Sequence, residues 1–585
     1  MSDGLRQNIS IRTKYDDRRR VQKNADQQIG AGGKFRLRLC AAAFAIVFCG
    51  LVARLGYVSF GMADEIRLVK AEVEAPLRPQ VVDRNGRPLI MNRDATGLAV
   101  DGRDVWDIPE MVDSLSAMFP TMNASRLEKR LAQKQYTLVL ENITPQERQD
   151  VIALGLPGLK FPSTHRRAYP QGDLAAHVVG YTIPGRGGVV GAEKMLDSYK
   201  GALTEEQPIA LSIDLVAQQI LEDELADAMA VFTAKAAWGI LLDVNTGEVR
   251  ALASLPDYNP NRPGTAKPGA WRNRAMSDVY ELGSAFKPIT AAAALDAKVV
   301  NLSETFDVSQ PIEVGGWTIK DYSKNNQPLT VSEIVQRSSN IGTIKIVERL
   351  GLDAFIDTLK ALHLTTPLRT ELPERRKPIV STTWRPAEFA STSYGHGIAV
   401  SPLQLAASFA AVVNGGSYVK PTFLAGGDVS KTSVFSDATS ARMRIILRKS
   451  VSEGTGRNAD APGFYPIGKT ATADKPGVGG YDEDGELVSS FIGAFPGYDP
   501  KYVLLISLDE PKGTSATYGF ATAGYVAAPV FRRVVERAAP TLGLMPVGDD
   551  VAFDGFVGLR KGQDDQQKQV IEHDALATLL SKTAY

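Results

Sequence analysis

The chain has 585 residues, of which 44% are hydrophobic and 23% are charged, as in ordinary globular proteins. Basic and acidic residues both number 66, so the overall charge gives no reason to expect a nucleic-acid partner. Cys40 and Cys49 are the only cysteines, which excludes structural disulfides and cysteine metal sites from the rest of the chain. The five histidines lack ligand spacing, and we predict neither a metal nor a cofactor.

The N-terminal segment is basic and precedes an apolar run. Residues 1–38 carry ten Lys or Arg against four Asp, whereas Leu39–Ala53 carries no charge. Arg54 interrupts the apolar run, which resumes to Ala63, so 39–63 is long enough to cross a bilayer with Arg54 reaching the interface. We predict an uncleaved anchor with a cytoplasmic N-terminus. A signal peptide ending at Ala63 is the alternative, and the long basic segment and Arg54 disfavour it.

Residues 64–205 alternate short strand-like and helical patches. Two short strands are predicted around the Asn85-Gly86 turn, and residues 109–155 are predicted to form helices with charged faces, at 125–133 and 145–154. No catalytic constellation occurs in this segment, so we predict a structural or interaction domain. His177 is expected to be a hydrogen-bonded structural histidine.

The pattern changes near Pro208, and we assign 206–548 to a second, larger domain. An amphipathic helix is predicted at Ile213–Met229, followed by a hairpin of Trp238–Val244 and Glu248–Ser254. Helical stretches and then further apolar strands follow, at 284–297, 329–350, 464–473, 489–495 and 502–509. Strands at both ends of the domain with helices between them predict an α+β fold whose sheet is closed by both chain ends.

Residues 549–585 are polar and contain one short helical patch, Ala575–Leu580. We predict that this C-terminal segment is a weakly ordered tail.

The chemistry centres on Ser284 and Lys287, at the start of a predicted helix. Residues three apart share a helix face, so the Lys287 amine can lie beside the Ser284 hydroxyl and act as its base. Pro288 fits a first helical turn, and the helix start aims backbone N–H groups at Ser284, which suits an oxyanion. This pair alone is a weak signal, since an N-cap serine with an exposed lysine has the same spacing.

A second copy of this spacing, Ser417 to Lys420, is predicted to lie on a strand, where residues three apart face opposite ways. Two further motifs follow Ser284 in the chain. Ser338-Ser339-Asn340 ends the helical stretch Val331–Arg337, and Gly468-Lys469-Thr470-Ala471-Thr472 lies on a strand. A similar tripeptide, Ser323-Lys324-Asn325, lies in a polar loop and is interpreted as a decoy.

Together these motifs resemble the Ser-x-x-Lys, Ser-x-Asn and Lys-Thr-Gly set of penicillin-binding proteins and serine β-lactamases. The likeness extends to the segments around the motifs: Tyr280 to Pro288, Leu329 to Gly342, Tyr394 to Gly397 and Ser401 to Leu405. Patches of the N-terminal segment resemble class B penicillin-binding proteins: Asp83 to Gly86, Arg166-Arg167, His177 to Tyr181 and Gly191-x-Glu193. The chain is similar to the division-specific (FtsI-type) subclass over about 35–545.

The resemblance implies an antiparallel sheet flanked by helices on an N-terminal pedestal domain at 64–205. It also implies a peptidoglycan D,D-transpeptidase of the division septum, with the catalytic domain in the periplasm and a single-pass anchor in the inner membrane. Stem peptides would be the substrates and β-lactams covalent inhibitors. The implied partners are a membrane-embedded septal glycan polymerase of the FtsW type and other divisome proteins.

Individual roles follow from chemistry, with the resemblance as support. Ser284 would attack the penultimate D-Ala carbonyl, and burial together with the nearby Lys469 cation would keep Lys287 neutral enough to accept a proton. Ser338 would relay that proton, and Asn340 would bind the substrate amide and Lys287. The two hydroxyls predicted to bind substrate are Thr470 and Thr472. The backbone N–H groups of Ser284 and Thr472 would form the oxyanion hole.

Ala471 departs from the family pattern, which has glycine at this position. On a strand it shares a face with Lys469, so a methyl group would point toward the helix that carries Ser284. We expect a small rearrangement with activity retained; the alternative is a displaced strand and slow acylation, since a 1 Å misplacement can cost roughly 100-fold.

Three other functions compete with this prediction. They are a non-catalytic septal scaffold or β-lactam sensor, a D,D-carboxypeptidase with water as acceptor, and an elongation-type cross-linking enzyme.

Overall fold

The structure is a computed structural model that describes residues 31–56, 78–183, 186–199, 207–475, 486–552 and 556. The chain divides into two compact units, Met1–Leu77 and Arg78–Tyr585. The predicted C-terminal tail lies outside the described residues from 557 onward.

In the first unit, helix α1 spans Ala31–Gly56. Its apolar side chains are exposed, including Phe44 at 80% and Ile46 at 73% of their surface. In the part of the chain that the structure describes, no helix has the length and apolarity needed to cross a membrane. Residues 57–63 of the predicted anchor lie outside the described residues.

The second unit begins with an N-terminal domain built on a sheet of order β3-β2-β1-β8, in which β2 also pairs with β4 and β5. Its elements are β1 Val81–Val82, β2 Pro88–Asp101, α2 Ile108–Met118, α3 Ala124–Ala132, β3 Tyr136–Ile143, α4 Pro145–Ala153, β4 Leu159–Lys160, β5 Ser163–Ala168, α5 Ala176–Val179, β6 Tyr181–Ile183, β7 Gly187–Val190, α6 Gly191–Leu196 and β8 Ile209–Ala210.

Polar N-caps begin the three helices of this domain that pack near β2 and β3. Asp107, Asn123 and Thr144 each accept a hydrogen bond from the backbone three residues later, which satisfies a free N–H of α2, α3 and α4. The predicted helices at 125–133 and 145–154 are present, but β3 between them was missed. It is held by pairing with the distant β2, which local periodicity does not reveal.

A buried charge cluster holds α6 against β5. The Glu193 carboxylate is fully buried and accepts hydrogen bonds from Arg78 Nε at 3.1 Å, Arg167 Nε at 2.9 Å and the Tyr169 hydroxyl at 3.1 Å. A buried carboxylate is stable only when paired, and removing one partner typically costs roughly 3–5 kcal/mol. His177 is buried, with Nε2 2.7 Å from Ala270 O, as predicted for a structural histidine.

The larger domain contains a five-stranded antiparallel sheet of order β10-β9-β21-β20-β19. Its elements are α7 Leu215–Phe232, β9 Ala236–Asp243, β10 Val249–Leu255, α8 Lys287–Asp296, β11 Thr305–Phe306, β12 Ile312–Val314, β13 Trp317–Ile319, β14 Leu329–Thr330, α9 Val331–Arg337, α10 Asn340–Leu350, α11 Leu352–Ala361, β15 Ile379–Val380, α12 Pro386–Ser393, β16 Ile398–Ala399, α13 Pro402–Val413, β17 Ser417–Val419, β18 Lys431–Ser433, α14 Asp437–Ser452, β19 Ile467–Asp474, β20 Leu487–Phe495, β21 Tyr502–Asp509 and α15 Ala527–Thr541.

The early hairpin joins the late strands where β9 pairs with β21, which confirms the prediction of a sheet closed by both chain ends. Both faces of this sheet are covered. In β9, Ile240 and Leu242 belong to an apolar cluster with helices α8 and α13, while Leu241 packs with α7 and α15 on the other face. Burial on both faces explains why these strands are continuous apolar runs. Strand β19 lies at the sheet edge, beside the turn that precedes α8.

Candidate active site

Ser284 lies in a 3₁₀ turn, Gly283–Phe286, that runs directly into α8. Ala285 and Phe286 are buried, whereas Ser284 stays partly exposed. Helix α8 is buried along its whole length except at Asp296, so the helix that continues from the serine turn is fixed by packing. The helix start predicted near Ser284 is present, with a tighter first turn than a regular α-helix.

Lys287 is 1% exposed, and its Nζ has three hydrogen-bond partners. Nζ lies 2.5 Å from Ser338 O, 3.1 Å from Ser338 Oγ and 2.7 Å from Asn340 Oδ1. Burial, and then the positive charge of Lys469, hold the pKa of Lys287 well below its usual value, while the carboxylate of Asp321 opposes the shift. The lowered pKa favours the uncharged amine, which is the form that a general base requires.

Ser338 connects this lysine to Ser284, the predicted nucleophile. Its backbone is left-handed, with φ +63°, where it ends α9, and its hydroxyl donates to Ser284 Oγ at 2.9 Å. The spacing of the first motif predicts that the Lys287 amine lies beside the Ser284 hydroxyl. The structure places the Ser338 hydroxyl within hydrogen-bond reach of both, which provides a path for a proton between them.

Asp321 holds the second motif in place through hydrogen bonds, and this role was not predicted from the sequence. Its carboxylate accepts hydrogen bonds from Asn340 N at 2.6 Å, Ile341 N at 3.0 Å and the Ser339 hydroxyl at 2.6 Å. The first N–H groups of a helix have no partner within it, so Asp321 supplies acceptors that α10 lacks. Asn325, in the tripeptide interpreted as a decoy, donates to the same carboxylate. The loop that carries Asp321 and Asn325 therefore supports the site. A single aspartate in a polar loop matches no catalytic motif, so nothing in the sequence singles it out.

Asn340 contacts the predicted base through its side-chain oxygen, while its Nδ2 donates to Lys320 O at 3.2 Å. Asn340 is half-buried at the start of α10. The predicted contact between Asn340 and Lys287 is therefore present.

The third motif lies on the edge strand β19. Lys469 is fully buried, and burial lowers its pKa to about 7. Its Nζ donates to Thr470 O at 3.0 Å and to Thr470 Oγ1 at 3.3 Å. A side-chain carbon placed on Gly283 would lie 3.4 Å from Thr472 O, so this strand runs beside the serine turn. The edge position leaves backbone groups of β19 without a neighbouring strand on the side away from β20.

Ala471 is buried in the same apolar cluster as Phe286 and Ile289, on the face of the sheet that packs against α8. This is the face that strand alternation predicts for it. The pairing of β19 with β20 runs from Ile467 to Asp474 without a register shift. The methyl group is therefore accommodated in a regular strand.

Two loops outside the motifs contact the threonines of β19. Thr455 Oγ1 lies 2.6 Å from Thr470 Oγ1, and Ala523 N donates to Thr472 Oγ1 at 3.0 Å. Sequence reasoning missed both, because neither residue belongs to a motif and each is joined to the strand only by folding.

The segment Tyr394–Gly397 packs against the serine turn. Gly283 N donates to Gly395 O at 3.2 Å, and a side-chain carbon on Gly395 would overlap the Gly283 carbonyl. Glycine is required here by this close approach and by the positive φ of +89°. His396 Nδ1 lies 3.6 Å from Glu281 Oε2 just before the nucleophile. Burial lowers the pKa of His396, which favours the neutral ring.

The structure thus brings Ser284, Lys287, Ser338 and Asn340 together through hydrogen bonds. Lys469 lowers the pKa of Lys287 through its charge. In the second copy of the first motif, Ser417–Val419 forms the strand β17, as predicted, and Lys420 follows it; Tyr418 is buried in the core.

Residues 238–536 match the family model described as the penicillin binding protein transpeptidase domain, and residues 73–208 match that of the penicillin-binding protein dimerisation domain. The chain is 40% identical over 527 residues to the probable peptidoglycan D,D-transpeptidase FtsI of Caulobacter vibrioides, which covers 87% of this chain and 89% of the relative. It is 31% identical over 552 residues to the probable peptidoglycan D,D-transpeptidase PenA of Neisseria meningitidis, covering 87% and 93%.

The peptidoglycan D,D-transpeptidase FtsI of Escherichia coli K12 is 29% identical over 551 residues, covering 87% of this chain and 91% of the relative. With these matches and the motif geometry together, the chain belongs to the penicillin-binding protein transpeptidase family.

Proposed function

We propose that this chain is a peptidoglycan D,D-transpeptidase that cross-links stem peptides through a serine acyl-enzyme and is inhibited by β-lactams. The observation that carries the proposal is the buried Lys287 amine linked to the Ser284 hydroxyl through Ser338. A serine hydroxyl becomes a nucleophile only when a neighbouring base removes its proton, and burial supplies such a base here.

In the first half-reaction, Ser284 Oγ bonds to the carbonyl carbon of the penultimate D-Ala, and the bond from that carbon to the terminal D-Ala nitrogen breaks. The serine proton passes toward Lys287 and then to the leaving amine. In the second half-reaction, the amine of another stem peptide attacks the ester carbon, Ser284 Oγ leaves and a proton returns to it. Lys469 and Thr470 hold the terminal carboxylate of the first stem peptide, and the N–H groups of Ser284 and Thr472 stabilise the oxyanion.

Mass spectrometry of the intact chain after penicillin treatment tests this proposal. We expect a single adduct on Ser284 and none on Ser284→Ala. An unlabelled chain would favour the scaffold alternative. Product analysis with a stem peptide and an acceptor amine separates cross-linking from carboxypeptidase trimming, in which water is the acceptor.

We also propose that Ala471 preserves activity. Its support is the unbroken pairing of β19 through this residue. Ala471→Gly should change the acylation rate less than about threefold, far below the roughly 100-fold cost of a 1 Å misplacement. A large gain in rate for the glycine variant would favour the displaced-strand alternative.

The proposed cellular role is in division, with an FtsW-type polymerase and other divisome proteins as partners. The names of the Caulobacter vibrioides and Escherichia coli relatives support this role. A fluorescent fusion should concentrate at mid-cell; side-wall localisation would favour the elongation-type alternative.

We further propose that residues 39–63 anchor the chain in the inner membrane, with residues 1–38 in the cytoplasm and the catalytic domain in the periplasm. The charge-free run Leu39–Ala53 and the exposed apolar side chains of α1 support the proposal. Protease added outside spheroplasts should remove the catalytic domain and leave an N-terminal tag intact. Digestion of the tag, or release of the protein in high salt, would contradict the anchor.

A further inference from the structure

Thr455 lies outside the three motifs, in the turn that follows α14, yet it contacts the third motif directly. Its Oγ1 is 2.6 Å from Thr470 Oγ1, and the residue itself is exposed to solvent. The turn is held in place, since Gly456 N donates to Ser450 O at 2.9 Å. On the other side, a side-chain carbon on Gly524 would lie 2.8 Å from Thr455 O, so the loop around Gly524 packs closely on the turn.

The hydrogen-bonding capacity of the Thr470 hydroxyl decides what this contact does. A hydroxyl has one proton to donate and two lone pairs that accept. The ammonium of Lys469 can only donate, and its Nζ lies 3.3 Å from Thr470 Oγ1, so it occupies one lone pair. If Thr455 donates to the other lone pair, the single proton of Thr470 is left for an incoming anion.

We propose that Thr455 is a positioning residue that sets the direction of the Thr470 hydroxyl, so that its proton points to the substrate carboxylate. This inference rests on the proposed function, which places the carboxylate beside Lys469 and Thr470. An oriented hydroxyl makes a shorter, stronger hydrogen bond to an anion than one shared with a competing acceptor.

The second threonine of β19 has the same arrangement. Ala523 N donates to Thr472 Oγ1 at 3.0 Å, and a backbone N–H cannot accept. The Thr472 proton is thereby directed away from the loop. Both hydroxyls of β19 are thus held as donors by groups outside the motifs, one by a side chain and one by the backbone. Only the side-chain group can be tested by substitution.

The test measures second-order acylation rate constants for benzylpenicillin and for its methyl ester, which lacks the anionic carboxylate. Thr455→Val keeps the side-chain shape and removes the hydroxyl. We expect this variant to lose about tenfold in rate with the acid and less than twofold with the ester. Thr455→Ser should recover the rate with the acid to within about twofold. The control Thr265→Val removes a hydroxyl that donates to the backbone of Arg262, and both rates should stay unchanged.

A double variant tests whether Thr455 acts through Thr470. In a Thr470→Val background, Thr455→Val should change the acid rate less than twofold, because the hydroxyl that it orients is gone. Suppose that the unsubstituted chain is still labelled on Ser284. Then equal losses of acylation rate with the acid and the ester would overturn the inference, and so would unchanged rates with both. No labelling of the unsubstituted chain would overturn the proposed function, and this inference with it.

Discussion

Replacing Asp321 tests how the second motif is held. Its carboxylate accepts from Asn340 N and Ile341 N, and Ser339 Oγ, itself bound to Asp321, accepts from Gly342 N at 2.9 Å. These acceptors satisfy three of the N–H groups that open α10, next to the positive end of the helix dipole. Asp321→Ala therefore leaves two backbone donors, one hydroxyl and the Asn325 side-chain amide without this acceptor.

The expected cost follows from these bonds. Hydrogen bonds to a charged group contribute about 1.5–3 kcal/mol each and do not add fully, so we expect Asp321→Ala to lower the free energy of unfolding by roughly 3 kcal/mol. Asn340 and Ser338 flank the released turn. A displacement of about 1 Å there should slow penicillin acylation roughly 100-fold.

The assay pairs a thermal melt with the acylation rate of Ser284. Asp321→Asn keeps one acceptor and should lie between the wild-type chain and Asp321→Ala in both measurements. The carboxylate of Asp321 raises the pKa of Lys287, so the asparagine variant should also stay active to lower pH. Asp307→Asn is the control, because Asp307 makes similar bonds, to Ser309, in an exposed loop. A wild-type melt and a wild-type rate for Asp321→Ala would refute the reasoning.

Three further predictions concern residues around Ser284. Lys469 must be charged to hold a carboxylate and has a pKa of about 7, so the second-order acylation rate should fall as pH rises through about 7. Lys469→Arg, which stays charged, should abolish that fall even if it slows the reaction. Ser338→Gly and Ser338→Ala should both acylate slowly, but glycine should be about 1 kcal/mol more stable because φ is +63° there; equal melting temperatures would contradict that strain. Gly395→Ala should displace the Gly283 carbonyl and reduce labelling of Ser284 at least tenfold, and full labelling would argue against the close packing.

Local pattern was sufficient for the elements that carry the motifs. The helix starting near Ser284, the helix Val331–Arg337 and a strand at 464–473, which the structure places at Ile467–Asp474, were all predicted, because each has a clear hydrophobic period or strand composition. The face occupied by Ala471 followed from strand alternation alone. The strand Tyr136–Ile143 was missed, because its partner β2 lies more than thirty residues away in the chain.

What the sequence by itself determined is which groups carry the chemistry and in what order they occur. The Ser-x-x-Lys spacing places Ser284 and Lys287 one helical turn apart, and the order of the three motifs indicates the family. The tertiary structure alone decided that the Ser338 hydroxyl bonds to both of these groups, that Asp321 and Thr455 contact the motifs, and that burial lowers the pKa of Lys469 to about 7. The physical reason is that burial, charge and hydrogen-bond partners depend on residues far apart in the chain, which approach one another only when the sheet closes.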